Sequence, residues 1–171
     1  MPALAGAPIL IRFLPALRAG RGRLESGGSR GEEVHAGSLV RRREIVLDAA
    51  LLSQSREFVR ILLHELFHFA WVRAGNPLRR SYELLLIGEL RRGARGELGW
   101  SAECRKQLLT PADARHRTRQ WREYACESFC DTGAWRFSGL RRHEEFTLAA
   151  RYRTARRAWL EQALSKPEIS I

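Results

Sequence analysis

The stretch Arg60-Ile61-Leu62-Leu63-His64-Glu65-Leu66-Phe67-His68-Phe69-Ala70-Trp71 decides how the rest of the chain is read. Apolar side chains fall on nearly every side of it, and Phe58, Val59 and Val72 extend the pattern on both flanks. Gly75 and Pro77 supply the stop signals of a helix. A helix that is apolar all round is a buried one. Inside it stands H-E-x-x-H, as His64, Glu65 and His68. Residues four apart lie on one helix face, one turn apart, so both imidazoles can aim at one metal ion. Glu65 is rotated off that pair and can instead reach a water in an open coordination position. Two histidines and a carboxylate are costly to bury unpaired. A Zn2+ ion on His64 and His68, with Glu65 as the general base, supplies the missing partner, whereas idle histidines belong on a solvated face.

A third ligand is needed. Residues 121–135 read W-R-E-Y-A-C-E-S-F-C-D-T-G-A-W. Thr110-Pro111-Ala112-Asp113 has the cap, first-turn proline and early carboxylate of a helix start, and Gly139 is a plausible stop. On such a helix Glu123, Glu127 and Asp131 are spaced by four and form an acidic stripe. Cys126, Phe129, Thr132 and Trp135 help make up the remaining, largely apolar surface. A carboxylate stripe on a partly apolar helix suits a cationic centre.

H-E-x-x-H followed by a later E-x-x-small-D resembles the gluzincin metallopeptidases. It is similar to the minigluzincins, the ImmA/IrrE-like proteases and the HtpX-type proteases. Glu127-Ser128-Phe129-Cys130-Asp131 fits the second motif, with Cys130 at the small position. The resemblance implies that Glu127 is the third zinc ligand and that Asp131 supports His64 or His68 from outside the ligand set, fixing the imidazole tautomer. A register one turn earlier, Glu123-Tyr124-Ala125-Cys126-Glu127, also fits, but places Glu where Asp or Asn is usual. Glu123 is then the ligand; in the preferred register it is an outer carboxylate beside Asp131. The resemblance covers the two motif helices and the strand before the first. It implies an α+β, mostly helical zincin-like domain with a small β-sheet packed on the H-E-x-x-H helix, whose edge strand can hold a peptide by strand addition.

The 171 residues, 44% of them hydrophobic, fit one domain with a real core. Residues 1–32 are expected to include a flexible N-terminal segment and 166–171 a tail. Residues 7–14 can form a strand, whereas 20–31, rich in Gly, Arg and Ser, read as a mobile connection. Two short strands are expected over 33–40 and 43–47, and Ser53 or Ser55 can cap the motif helix. Asn76-Pro77 restarts a helix to about residue 92. Residues 100–109 read as a short helix or a loop near the site, with Trp100 as a core anchor in preference to a substrate wall, and 140–164 as a helix. The apolar start is too short to span a bilayer and has no basic segment ahead of it, so no cleavable signal and no membrane anchor is expected.

The three cysteines, Cys104, Cys126 and Cys130, are odd in number. Cys126 and Cys130 lie one helical turn apart, a poor geometry for a disulfide, which suggests a reducing cytoplasm. They read better as small buried hydrophobes than as zinc ligands. The net charge of +11 comes mainly from arginine, since Lys106 and Lys166 are the only lysines. Nucleic acid is a possible partner on that charge, but the clusters are dispersed and no recognition motif accompanies them, so a solvated basic surface is favoured. The expected activity is peptide-bond hydrolysis on a peptide or protein substrate. His116, His143, Tyr82, Tyr124 and Tyr152 are candidates for stabilising the oxyanion. Two alternatives stay open. One is a DNA-associated protease resembling the SprT/Spartan group, whose third ligand is a later His; His116 stands in that role here. The other is a non-catalytic metal-binding regulator, against which the intact Glu65 argues.

Overall fold

The computed structural model describes residues 3–20, 22–27, 31–164 and 168–171. In chain order come β1 (Ala3–Ala5), β2 (Leu10–Leu14), β3 (Leu17–Gly20), β4 (Arg23–Ser26), β5 (Glu32–Glu33), β6 (Ala36–Leu39) and β7 (Glu44–Asp48). The helices follow: α1 (Ser55–Arg73), α2 (Asn76–Arg91), α3 (Trp100–Gln107), α4 (Pro111–His116), α5 (Arg119–Phe137) and α6 (Ala150–Ala163), and then the strand β8 (Glu168–Ser170). The fold is α+β and mostly helical, with small sheets. No helix among the described residues is long and apolar enough to cross a membrane.

The sheet that matters for the site has the order β2-β7-β6. β2 runs parallel to β7, and β6 runs antiparallel to it, with Ser38 opposite Ile45. All of Glu44, Ile45, Val46 and Leu47 are buried, as a central strand covered on both faces requires. Ile45, Leu47 and Leu51 pack with Ile61 and Phe69 of α1. On another side of α1, Phe67, Ala70 and Trp71 join Tyr82, Leu86, Trp121, Tyr124 and Phe129 of α2 and α5. The motif helix therefore lies between the small sheet and α5.

α5 comes this close because residue 133 is glycine. A Cβ there would drive into the Phe67 ring, one residue before His68. Gly133→Ala should lower stability by about 1–3 kcal/mol through overpacking, measured as the shift of the denaturation midpoint. A cost below about 0.5 kcal/mol, the size of an ordinary surface change, would show that the two helices are not locked at this point.

Several sequence expectations are corrected. The helix expected from Thr110 onward is two helices. The capping box of Thr110 and Asp113 is present, but Arg117 takes a left-handed conformation with φ 48°, and Thr118 caps a new helix by accepting from the Trp121 N–H. Neither Ser53 nor Ser55 caps α1; its N-cap position is Gln54, and Ser53 Oγ bonds the Ala50 carbonyl. Trp100 is 60% exposed, not a core anchor. In residues 140–164 the helix is confined to α6, and Phe146 and Leu148 are buried from an irregular segment ahead of it. The stretch expected to be a mobile connection contains β4, hairpinned on β3; Arg21 and residues 28–30 of it lie outside the described residues. Strands β1 to β4 occupy half of the N-terminal segment expected to be flexible. The expected tail contributes β8, which pairs in parallel with β1 and buries Ile169; Lys166 and Pro167 lie outside the described residues.

Candidate metal centre

α1 carries His64, Glu65 and His68 on successive turns, and α5 brings Glu127 and Asp131 against it. Glu127 Oε2 lies 3.2 Å from His64 Nε2 and 3.9 Å from His68 Nε2. The three side chains are largely covered, at 12%, 19% and 14% exposure for His64, His68 and Glu127. Zinc bonds of about 2.0–2.2 Å to nitrogen and oxygen imply donor–donor edges of about 3.4 Å in a tetrahedron. The observed separations of 3.2 and 3.9 Å bracket that value. Two imidazole nitrogens and one carboxylate oxygen, with a fourth direction open, are also the donor set of a catalytic zinc. The residues present fit the metal that the motif implies.

Each donor is braced from behind. His64 Nδ1 is 2.7 Å from Asp131 Oδ1, so its N–H donates there and the Nε2 edge of the ring is turned toward Glu127. The other Asp131 oxygen accepts the Ala102 N–H at 3.1 Å. Gly99 makes room for this carboxylate, since a Cβ at residue 99 would collide with it. His68 Nδ1 faces the Cys126 Sγ at 3.5 Å. Glu127 divides its oxygens, Oε2 to the histidines and Oε1 to the Arg105 guanidinium at 3.5 Å. Glu65, 7% exposed, touches both the sheet and the imidazoles: the Ser38 hydroxyl lies 2.6 Å from its Oε2 and 3.0 Å from its carbonyl oxygen, and one carboxylate oxygen is within 4.8 Å of a nitrogen of both His64 and His68.

The electrostatics ask for positive charge. Burial alone would push the His64 imidazole down, yet the Asp131 and Glu127 carboxylates hold it well above its usual value. Burial likewise opposes the charged form of His68, and the Cys126 sulfur and the Glu65 carboxylate help raise it. Burial favours the neutral acid at Glu127, but His64, His68 and Arg105 bring that carboxyl down to about 2. The hydrogen bond from Cys130, opposed by burial and helped by His68, brings the Cys126 thiol down to about 6. Protons or a cation must balance this set of acids, and a divalent ion does so without occupying the lone pairs with hydrogen.

The five candidates for oxyanion stabilisation are not gathered here. Tyr82, Tyr124 and Tyr152 are buried, and their hydroxyls are bonded within the fold, to Ser128 and Thr132, to Glu97 and to the Arg92 carbonyl. His143 Nε2 pairs with Glu57 at 2.8 Å. His116 is exposed at the end of α4, while Glu127 faces the two imidazoles. Glu123 is also corrected: its side chain is 42% exposed and paired with Arg119 at 2.6 Å, so it is not an outer carboxylate of the cluster. Ser38 and Arg105 belong to the site but escape sequence reading, because neither carries a motif and each arrives from an element placed only by tertiary packing. A few of the arginines are committed inside the fold: Arg156 is fully buried on Glu89 and Glu97, Arg60 pairs with Glu57 and Glu145, and the partly exposed Arg117 pairs with Glu83. In comparisons with family models, curated proteins and solved structures, nothing matches this chain.

Proposed function

We propose that this chain is a zinc-dependent metallopeptidase of gluzincin type, hydrolysing peptide bonds in a peptide or protein substrate. The observation that carries the reading is the approach of Glu127 Oε2 to His64 Nε2 and His68 Nε2, with a Glu65 carboxylate oxygen within 4.8 Å of a nitrogen of each imidazole. His64, His68 and Glu127 would hold the ion. Zinc bound there supplies a Lewis acid for the scissile carbonyl and makes water acidic enough to ionise near neutral pH.

The protein's own groups do the rest. Asp131 Oδ1 keeps the proton on His64 Nδ1, which leaves Nε2 free as a donor. Arg105 holds Glu127 Oε1 and so presents a single oxygen, Oε2, to the histidines. Ser38 donates to Glu65 Oε2, which orients the carboxylate and leaves Oε1 to take the proton from the attacking water and pass it to the leaving amine. Among the described residues β6 has a ladder partner on one side only, β7, and Ser38 places that strand beside Glu65. A substrate backbone laid along the free side of β6 would run past the same carboxylate, with main-chain hydrogen bonds supplying affinity. The three cysteines are unpaired, which suits a reducing compartment such as the cytoplasm.

The test is hydrolysis of a mixed peptide library, read by mass spectrometry. Cleavage should disappear on chelation and return with about one equivalent of Zn2+ per chain. Cleavage that survives full removal of metal would overturn the assignment.

A further inference from the structure

His68 has a second set of neighbours on its Nδ1 side. Cys126 Sγ lies 3.5 Å from His68 Nδ1, and the donor atoms of His68, Cys126 and Cys130 all lie within 4.8 Å of one another. α5 sets the two cysteines four residues apart, so both sulfurs fall on one helix face. None of the three cysteines is in a disulfide. The two ligand histidines are thus braced differently: His64 by a carboxylate, the ordinary partner of a metal-binding imidazole, and His68 by a sulfur pair. Two sulfurs and one imidazole nitrogen are a donor set for soft d10 cations, and Cys2His with one open position also holds zinc. Zinc–sulfur bonds of about 2.3 Å require sulfur–sulfur edges of about 3.8 Å, and the donor atoms here lie no more than 4.8 Å apart.

We propose that His68 Nδ1, Cys126 Sγ and Cys130 Sγ form a second metal site, for a thiophilic cation such as Cd2+ or Cu+, that shares His68 with the His64–His68–Glu127 cluster and excludes its occupation. The exclusion follows from the imidazole. Neutral histidine has one lone pair: with the proton on Nδ1, the pair at Nε2 serves the first cluster. A cation on Nδ1 moves that proton to Nε2, where it points toward Glu127 and leaves the first cluster one nitrogen short. Binding places both cysteines on the cation as thiolates, and any proton a thiol still carries goes to solvent, with no change of oxidation state. The site goes beyond the peptidase reading and rests on the first cluster only for the exclusion. Thiophilic metals are then antagonists that act beside the hydrolytic centre.

The experiment is titration of the metal-free full chain with Cd2+, following the thiolate-to-cadmium charge-transfer absorption and the protons released. One site per chain with a thiolate band, accompanied by release of protons, is expected. The band should persist in Glu127→Ala, which damages only the first cluster, and vanish in Cys126→Ser and Cys130→Ser. In zinc-loaded protein, Cd2+ should release the zinc together with growth of the band. Titration without a band, or a band that survives in Cys126→Ser/Cys130→Ser and so comes from Cys104, overturns the proposal. If the serine variants do not fold, the 113Cd resonance of the unsubstituted protein decides. A shift in the range of two-sulfur ligation supports the site, and one in the nitrogen and oxygen range excludes it. None of these readouts requires peptidase activity, so a failure of the peptidase reading and a failure of this site are seen separately.

Discussion

Glu65→Gln should keep its zinc and lose hydrolysis, with kcat falling by at least about 10²–10⁴-fold, the range that positioned acid–base groups contribute. Glu65 follows His64 by one residue on α1, so its side chain leaves the helix about 100° away from the ligand pair. Its carboxylate is held by Ser38 at 2.6 Å and not by the opposing helix. Glutamine has the same size, and its amide oxygen still accepts from Ser38, so packing and the ligand trio stay intact. What it lacks is the ability to take a proton from water at the pH of the reaction. The check is kcat measured beside zinc content on the same preparation. A variant that cleaves as fast as the parent removes Glu65 from the mechanism; one that loses zinc as well makes it a ligand and not a base.

The second large effect lies on α5. Glu127→Ala should release the zinc, because it removes one of three protein donors. Asp131→Ala should weaken binding by about 10–100-fold, the usual cost of losing the partner that orients a ligand histidine. Glu123→Ala should change affinity least, since its carboxylate is half exposed and committed to Arg119. The three substitutions sit one turn apart on one helix but differ in burial, so folding stability is measured beside zinc affinity for each. Ranked zinc affinities therefore isolate the role of position. If Glu123→Ala loses the metal while Glu127→Ala keeps it, the motif is read one turn out of register.

The grouping of His64, Glu65 and His68 was legible because a helix fixes it covalently: once residues 60–71 are helical, i and i+4 share a face whatever surrounds them. Glu127 and Asp131 were legible only as members of a stripe, since Glu123 has the same spacing. What separates them is tertiary. Phe67 over Gly133 sets where α5 meets α1, and the Ala102 N–H fixes Asp131 from a third helix. Arg105 and Ser38 have no sequence signal at all. Neighbouring helix and strand residues look the same until α3 and β6 are in place.

The fold shows the same division. The central strand Glu44–Asp48 and the helix start near Pro77 are written locally, in β-branched residues and a first-turn proline, although the N-cap position is Gly75 and not Asn76, the residue expected to cap. β4 and β8 are strands only because β3 and β1 accept their hydrogen bonds. The break between α4 and α5 rests on a left-handed arginine, φ 48° at Arg117, a conformation that composition does not announce. Phe146 and Leu148 have core composition, and the apolar pattern suggested a helix there. Their backbone is held instead by Glu97, whose carbonyl accepts from Thr147 and Leu148 at 2.9 Å each.

Metal analysis of the folded protein, purified without exposure to chelator, tests the central claim most directly. The account predicts about one zinc per chain, released in His64→Ala and in His68→Ala while both variants stay folded. Folded protein that carries no zinc and takes up none when it is supplied would contradict it.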